Sequence, residues 1–487
     1  MQSRVFTCCF LLLLFGVSVR ANNLAISNVN RTGVNRNIIT ADISWENSWY
    51  VSGIPRNNDA VWIFVKFREC NTGGPWHHAL LSTTMANHSF SSGITFATPI
   101  TTLNRFGIPG NNNTGVMIRR NGYGIGDITG ESIGLQIVGS TDGTAMADSA
   151  EYDINVLGIE MVYIPSEAFY IGDGTSTYHL FTSGTNPRLP YRVTSENAVT
   201  ISTGQSGYNV TIPSTYPKGF SSFYIMKYEI TQGQYVDFLN TIDPGYALNR
   251  AYIYNAYMYN MQQSGNTYSS NYPNRAMTYM SYTDLLSYLD WAALRPVSEM
   301  EFEKACRGPL DFVPGEQAWG EVTFIQARNV TGTVSGQEVC TDSAANLHYY
   351  GSDYYCHGGA FGASSYGPLE VGIFARDTTL TREGTGATYY GLMEMSGNAI
   401  ELCVQVNANN SNPSTPSTYT GLWGDGILSA LGEFNTTAWG GGEPFVMKGG
   451  SWTHDENRSR VSDRSYINYT AASYSTRDNY RGGRGCR

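Results

Sequence analysis

Arg295-Pro296-Val297-Ser298-Glu299-Met300-Glu301-Phe302 is the stretch from which the fold of this chain is read. Ser298 stands three residues before Glu301, the spacing of a capping box. The serine hydroxyl takes a free N–H of the helix's first turn, and the glutamate reaches back to the serine's own N–H. Val297 and Phe302 flank the cap at the spacing of a hydrophobic staple, so a helix is expected to open at Glu299. The same device recurs upstream, with Thr231 and Gln234 as the box and Ile230 and Tyr235 as the staple. Thr283-Asp284 is expected to open a third helix, Leu285 to Leu294, with an acid where the helix dipole favours negative charge. From about Ile159 onward the texture is short helices among strands and long loops.

The preceding segment reads differently. Ile39 to Trp45 (I-T-A-D-I-S-W) alternates, and Ala60 to Phe67 (A-V-W-I-F-V-K-F) is an apolar run rich in β-branched and aromatic residues. Ser132 to Val138 and Tyr152 to Leu157 look similar, with Gly/Asn/Ser/Thr loops between, and no amphipathic helix appears. An all-β sandwich of immunoglobulin-like or fibronectin-like type is the natural packing, over residues 22–158. Trp45, Trp49 and Trp62 are read as core aromatics within it.

Composition narrows the function. The chain has 30 Lys+Arg against 40 Asp+Glu, a formal net charge of −10, so it lacks the basic footprint of a nucleic-acid binder. Its 41% hydrophobic content is enough for ordinary cores. With 34 Tyr and only 14% charged residues, its surface must make contacts through rings, hydroxyls and amides. Arg4, the apolar run Val5 to Val17 and Val19-Arg20-Ala21 together read as a signal peptide over residues 1–21. That run is too short to span a bilayer well, and no later segment is long and apolar enough, so a secreted or cell-surface protein without a membrane span is expected.

Cys8 and Cys9 would leave with the leader, and the six remaining cysteines allow 15 disulfide pairings, of which Cys340–Cys356 is the favoured one. Sequons such as those at Asn87, Asn435 and Asn457 make a glycoprotein possible in a glycosylating host. Nine tyrosines lie between Tyr252 and Tyr288, either as an exposed stacking surface or as an insertion packed by its own rings.

The helix starts sit inside a recognisable order of motifs. Met161-Val162-Tyr163-Ile164-Pro165 comes first, then Phe223 to Thr231 (F-Y-I-M-K-Y-E-I-T), then the opening stretch above with Ala305-Cys306-Arg307-Gly308. Trp319-Gly320, Ala327-Arg328-Asn329-Val330, Tyr390 to Leu402 (Y-G-L-M-E-M-S-G-N-A-I-E-L), Lys448-Gly449-Gly450-Ser451-Trp452 and Gly482 to Arg487 follow. Together and in this order they resemble the formylglycine-generating enzyme (sulfatase-modifying factor) family. The resemblance implies an α+β, C-type-lectin-like domain over residues 159–487, often held by calcium. It places a calcium site at Glu394, the carbonyls of Gly397 and Ala399, and Glu401, and such an oxygen-rich set suits that ion. A second family site would begin at Asn329-Val330, with no acidic partner identifiable.

The match breaks at catalysis. Members with activity hold Cu(I) between two cysteines after the Gly-Gly-Ser turn, because soft thiolates select that metal. Here the aligned positions are His454 and Ser459, and no cysteine lies between Cys403 and Cys486. No copper is expected and no catalytic residue is assigned. Trp452 to Arg487 is instead dense in Tyr, Ser, Asn, Asp and Arg, the composition of recognition loops, and is similar in that respect to the variable region of retroelement-diversified proteins on the same fold. The seven arginines from Arg458 onward either present a positive patch or are structural, pairing with carbonyls or with carboxylates of the Glu401 kind.

The expected function is a secreted, non-catalytic recognition or surface-assembly protein that binds a glycan or protein ligand. Trp452, His454, Asp455, Tyr466, Asn468, Tyr469 and Tyr474 are its expected contacts. The alternatives are an oxidoreductase using a non-copper metal at His454 and nearby carboxylates, and a structural subunit of a surface layer or appendage.

Overall fold

The computed structural model describes residues 23–70, 74–98, 113–175, 180–184, 186, 188–202, 209–332, 338–349, 367–375, 381–406, 417–439, 445–467 and 474–487. Within them the chain is mostly strand and loop, with few helices. One 12-stranded sheet dominates. Its main path runs Ala25–Thr32, Ile38–Tyr50, Gly124–Ser140, His77–Leu81, Asp59–Glu69, Tyr152–Ile164, Phe223–Met226, Gly485–Cys486 and Arg295–Pro296. Neighbours along that path are antiparallel.

Strand Asp59–Glu69 explains why its sequence is an unbroken apolar run. Val61, Ile63, Val65 and Phe67 face a core shared with Ile39, Ile43 and Trp45 of strand Ile38–Tyr50. Ala60, Trp62 and Phe64 point the other way, into the large core that holds the helices. A strand covered on both faces has no solvent side to mark with polar residues, and so loses the alternation that Ile39 to Trp45 keeps. Trp45 and Trp62 are fully buried, with their indole N–H groups donating to Asp59 Oδ2 (3.0 Å) and to the Ala292 carbonyl (2.9 Å).

The division expected at residue 158 falls inside strand Tyr152–Ile164. The strand pairs with Asp59–Glu69 from Tyr152 to Val162, and its last four residues also pair with Phe223–Met226. The first half of the molecule and the second are therefore continuous through one strand. A single apolar run served both halves, which is why no linker composition marks the join.

The helices start where the caps predict, with one correction. Thr231 caps Gln232–Asn240 and Ser298 caps Glu299–Arg307, both with complete capping boxes. The third helix runs Tyr282–Trp291, not Leu285 to Leu294, because Ser281 is the cap and Asp284 completes its box. It ends early, and Ala293 takes a left-handed φ of 54°. No described helix is long and apolar enough to cross a membrane.

A small three-stranded sheet positions the site. Ile400–Val404 pairs antiparallel with Phe445–Lys448 and parallel with Arg481–Gly482. It thus gathers the Ser396-Gly397-Asn398 turn, the Gly449-Gly450-Ser451-Trp452 turn and the C-terminal motif at one place.

Candidate functional site

The two turns are tied together by backbone hydrogen bonds, Gly397 N–H to the Gly449 carbonyl (2.7 Å) and Trp452 N–H to the Asn398 carbonyl (2.9 Å). Gly450 has φ of 66°, and a Cβ there would lie 2.9 Å from both the backbone nitrogen and Oγ of Ser459. Only glycine fits this left-handed position at so close an approach. The chain then folds back so that Ser459 is buried under the turn, its carbonyl accepting from Ser396 Oγ (2.6 Å).

His454 and Ser459, at the positions where the resemblance expects a thiol pair, are thus both built into the turn. His454 Nδ1 lies 2.6 Å from Ser451 Oγ, and its ring meets Tyr466 and Tyr480 edge to face at 5.3 and 4.9 Å. Burial, with Arg458 nearby, pushes its pKa down to about 4, so the imidazole is neutral near pH 7. A buried hydroxyl cannot replace a thiolate for Cu(I), and a lone imidazole does not rebuild the pair of soft sulfur ligands. The described thiols stand elsewhere: Cys70 is exposed, while Cys306, Cys340, Cys403 and Cys486 are buried. Burial pushes the thiols of Cys306, Cys403 and Cys486 up, disfavouring their thiolates. Cys356, the expected partner of Cys340, lies outside the described residues.

Around His454 the structure gathers a partly exposed aromatic ledge. Trp452 donates its indole N–H to the Asn479 carbonyl (3.0 Å) and meets Tyr257 at 5.7 Å. Arg458 sits 4.4 Å over the Tyr466 ring. Tyr257 and Tyr480 join this ledge although neither was singled out in the sequence; only the density of tyrosines after Tyr252 pointed toward the first. Asp455 is exposed beside it, and its Oδ1 accepts from the N–H groups of Asn457 (3.2 Å) and Arg458 (3.3 Å). Tyr474 stands apart, packed on Tyr282 (5.6 Å) and Phe445 (6.0 Å) as part of the core margin. Asn468 and Tyr469 lie outside the described residues.

The tyrosine-rich stretch largely packs on itself. Tyr279 has ring contacts with Tyr252, Tyr254 and Tyr259 at 4.9, 5.3 and 5.0 Å, while Tyr254 remains 41% exposed beside them.

The expected calcium residues lie in a buried charge cluster. Glu401 Oε1 receives both Nε (2.9 Å) and Nη2 (2.8 Å) of Arg484. Glu394 Oε2 accepts the Gly372 N–H (2.9 Å). Glu229, which the sequence did not single out, accepts from Asn398 Nδ2 (2.6 Å) and the Ala399 N–H (2.8 Å). Glu394 Oε1 and Glu401 Oε2 are buried and have no hydrogen-bond donor. Two such oxygens fit a hard cation; the Arg484 charge on Glu401 opposes one. Among the described residues no three His, Cys, Asp or Glu side chains are grouped to hold a metal, so any ion here would rely on carbonyls as well.

Beside Asn329 the structure places Asp342. Its Oδ2 accepts from the Arg328 and Asn329 N–H groups (2.5 and 2.6 Å), and its Oδ1 from Asn329 Nδ2 (2.6 Å). The residues between, some outside the described set, hid this pairing in the sequence.

Most of the C-terminal arginines are structural. Arg464 grips buried Glu299 through Nε (2.6 Å) and Nη2 (2.9 Å), Arg477 reaches Asp284, and Arg481 pairs with Asp478. Arg487 lies 3.7 Å over the Trp62 ring. With Arg484 on Glu401, five of the seven arginines from Arg458 onward are thus engaged within the fold.

Residues 187–475 match the family model of the sulfatase-modifying factor enzyme 1-like domain. Among solved structures, Treponema denticola variable protein 1 is similar at 15% identity and a TM-score of 0.33, over 68% of this chain and 95% of that one. No curated protein matches the chain.

Proposed function

The chain belongs to the sulfatase-modifying factor enzyme 1-like family, and from that premise we propose that it is a secreted or surface-exposed recognition protein without the family's oxidase chemistry. Its second half is read as the C-type-lectin-like form of the fold, presenting the ledge around Trp452, His454 and Tyr466 to a glycan or protein ligand. The single observation that carries this reading is the fate of the thiol positions. His454 is neutral and bonded to Ser451, Ser459 is buried under Gly450, and partly exposed aromatic rings stand beside them. Rings with polar edges bind ligands at low entropic cost, since each has few torsions to fix.

A non-copper metal centre on His454 is less well supported, because Ser451 engages its Nδ1 and Asp455 turns back on its own loop. A structural calcium ion at Glu394 and Glu401 belongs to the proposal; the two buried oxygens without donors support it.

The test is binding of the purified full chain to an immobilised glycan panel, with Trp452→Ala and Tyr466→Ala as variants. Loss of a wild-type signal in both variants is expected. Retention of full binding by both would reject this ledge.

A further inference from the structure

A cavity of about 450 Å³ opens beside the junction of strands Tyr152–Ile164 and Phe223–Met226, and it shares no lining residue with the Trp452 ledge. Three arginines, Arg56, Arg119 and Arg487, line it, and no Asp or Glu does. That is unusual in this molecule, whose net charge is −10 and whose other arginines include many held by carboxylates.

Each arginine has a distinct hold. Arg119 stacks 3.9 Å over the Tyr50 ring and makes one hydrogen bond, Nη1 to the Arg120 carbonyl (2.7 Å). Arg487 is clamped between Trp62 (3.7 Å) and Trp423 (4.6 Å), with Nη2 on Thr114 Oγ1 (3.2 Å). Arg56 is exposed, and its side chain bonds to no described residue. Arg487 also gives Nη1 to the Ala293 carbonyl, so its fork is held by the fold, whereas the exposed fork of Arg56 and the ring-stacked one of Arg119 match a carboxylate. The rest of the wall mixes aromatic rings with small and polar residues such as Asn58, Thr98 and Ser222, and its Tyr163 and Tyr224 rings lie 5.2 Å apart, tilted by 50°. Such rings offer flat apolar faces to a sugar's C–H surface and hydroxyls to its edge.

We propose that this cavity binds a carboxylate-bearing pyranose, a sugar of the uronic-acid class. The carboxylate would lie against Arg119 and Arg56, and the ring against the Tyr163–Tyr224 wall. The volume lies within the roughly 300–1,000 Å³ of small-molecule sites.

Calorimetric titration of the full chain with sodium glucuronate, and with glucose as the neutral control, tests this. Glucuronate is expected to bind at least about tenfold more tightly than glucose, the worth of one charge-assisted contact. Arg56→Ala and Arg119→Ala should each weaken glucuronate about tenfold, and Trp452→Ala should leave it unchanged. Arg56 has no described partner, so its variant reports on the site even where Arg119→Ala impairs folding. Equal affinity for glucose overturns the proposal, as does full affinity in Arg56→Ala or loss of binding in Trp452→Ala. Absence of wild-type binding overturns it too.

Discussion

Arg484 converges on a single oxygen of Glu401, with Nε at 2.9 Å and Nη2 at 2.8 Å, while its Nη1 takes the Met226 (3.1 Å) and Lys227 (3.2 Å) carbonyls. The contact joins the terminal motif to the strand after the Ser396-Gly397-Asn398 turn and to the strand leading into the first helix. It ties three segments distant in sequence at a point where both charges are fully buried. The arrangement explains why a segment rich in arginine carries little free positive charge.

Removing that guanidinium leaves Glu401, beside Glu229 and Glu394, without the side-chain cation that pairs with it. Arg484→Ala is expected to lower the unfolding free energy by about 3–5 kcal/mol, the range for one partner of a buried pair. Denaturant unfolding measures this, and a loss below about 1 kcal/mol would show the pair to be dispensable. Arg458→Ala, which removes a ring contact with Tyr466 and no ion pair among the described residues, should cost far less.

Burial raises the Glu394 carboxyl from its ordinary 4.5 to about 7. Between those values the folded state holds a proton that the unfolded chain has released. Its contribution is therefore fully present below about pH 4.5 and is lost as pH rises through about 7, on the order of 3 kcal/mol. With a chelator present, Glu394→Gln should shrink the fall in melting temperature between pH 5 and pH 8. Calcium should raise the wild-type melting temperature at pH 8 and affect the variant less. A wild type indifferent to calcium would remove that ion from the account.

His454 has its pKa pushed down to about 4 by burial, with Arg458 opposing its charge. Ligand binding at the ledge should therefore show no step from this residue between pH 5 and pH 8. Histidine NMR shifts report its titration directly, and a midpoint near 6.5 would mean that the ring stands in water.

How much of this was readable beforehand depends on the range of the interaction concerned. The capping boxes at Thr231 and Ser298 are local chemistry over four residues, and they place the starts of two helices, though not their ends. At Ser281 two overlapping caps competed, since Thr283-Asp284 also resembles a start, and burial of Tyr282 decided for the earlier one. The strand Tyr152–Ile164 carries the chain across the expected division at residue 158, and its pairing to Phe223–Met226 leaves no local mark in the sequence. Tyr474 looked like a contact by composition alone; its place against Tyr282 and Phe445 depends on elements far away in the chain. The partner of Asn329, Asp342, is hidden for the same reason.

The central claim is that neutral imidazole and a buried hydroxyl have displaced the thiolate chemistry of the family. The purified chain, loaded with Cu(I) under oxygen and incubated with a cysteine-bearing sulfatase peptide, tests it by mass spectrometry of the peptide. The account predicts that the cysteine stays unconverted beyond the copper-only control. Catalytic conversion of that cysteine to the aldehyde would contradict it.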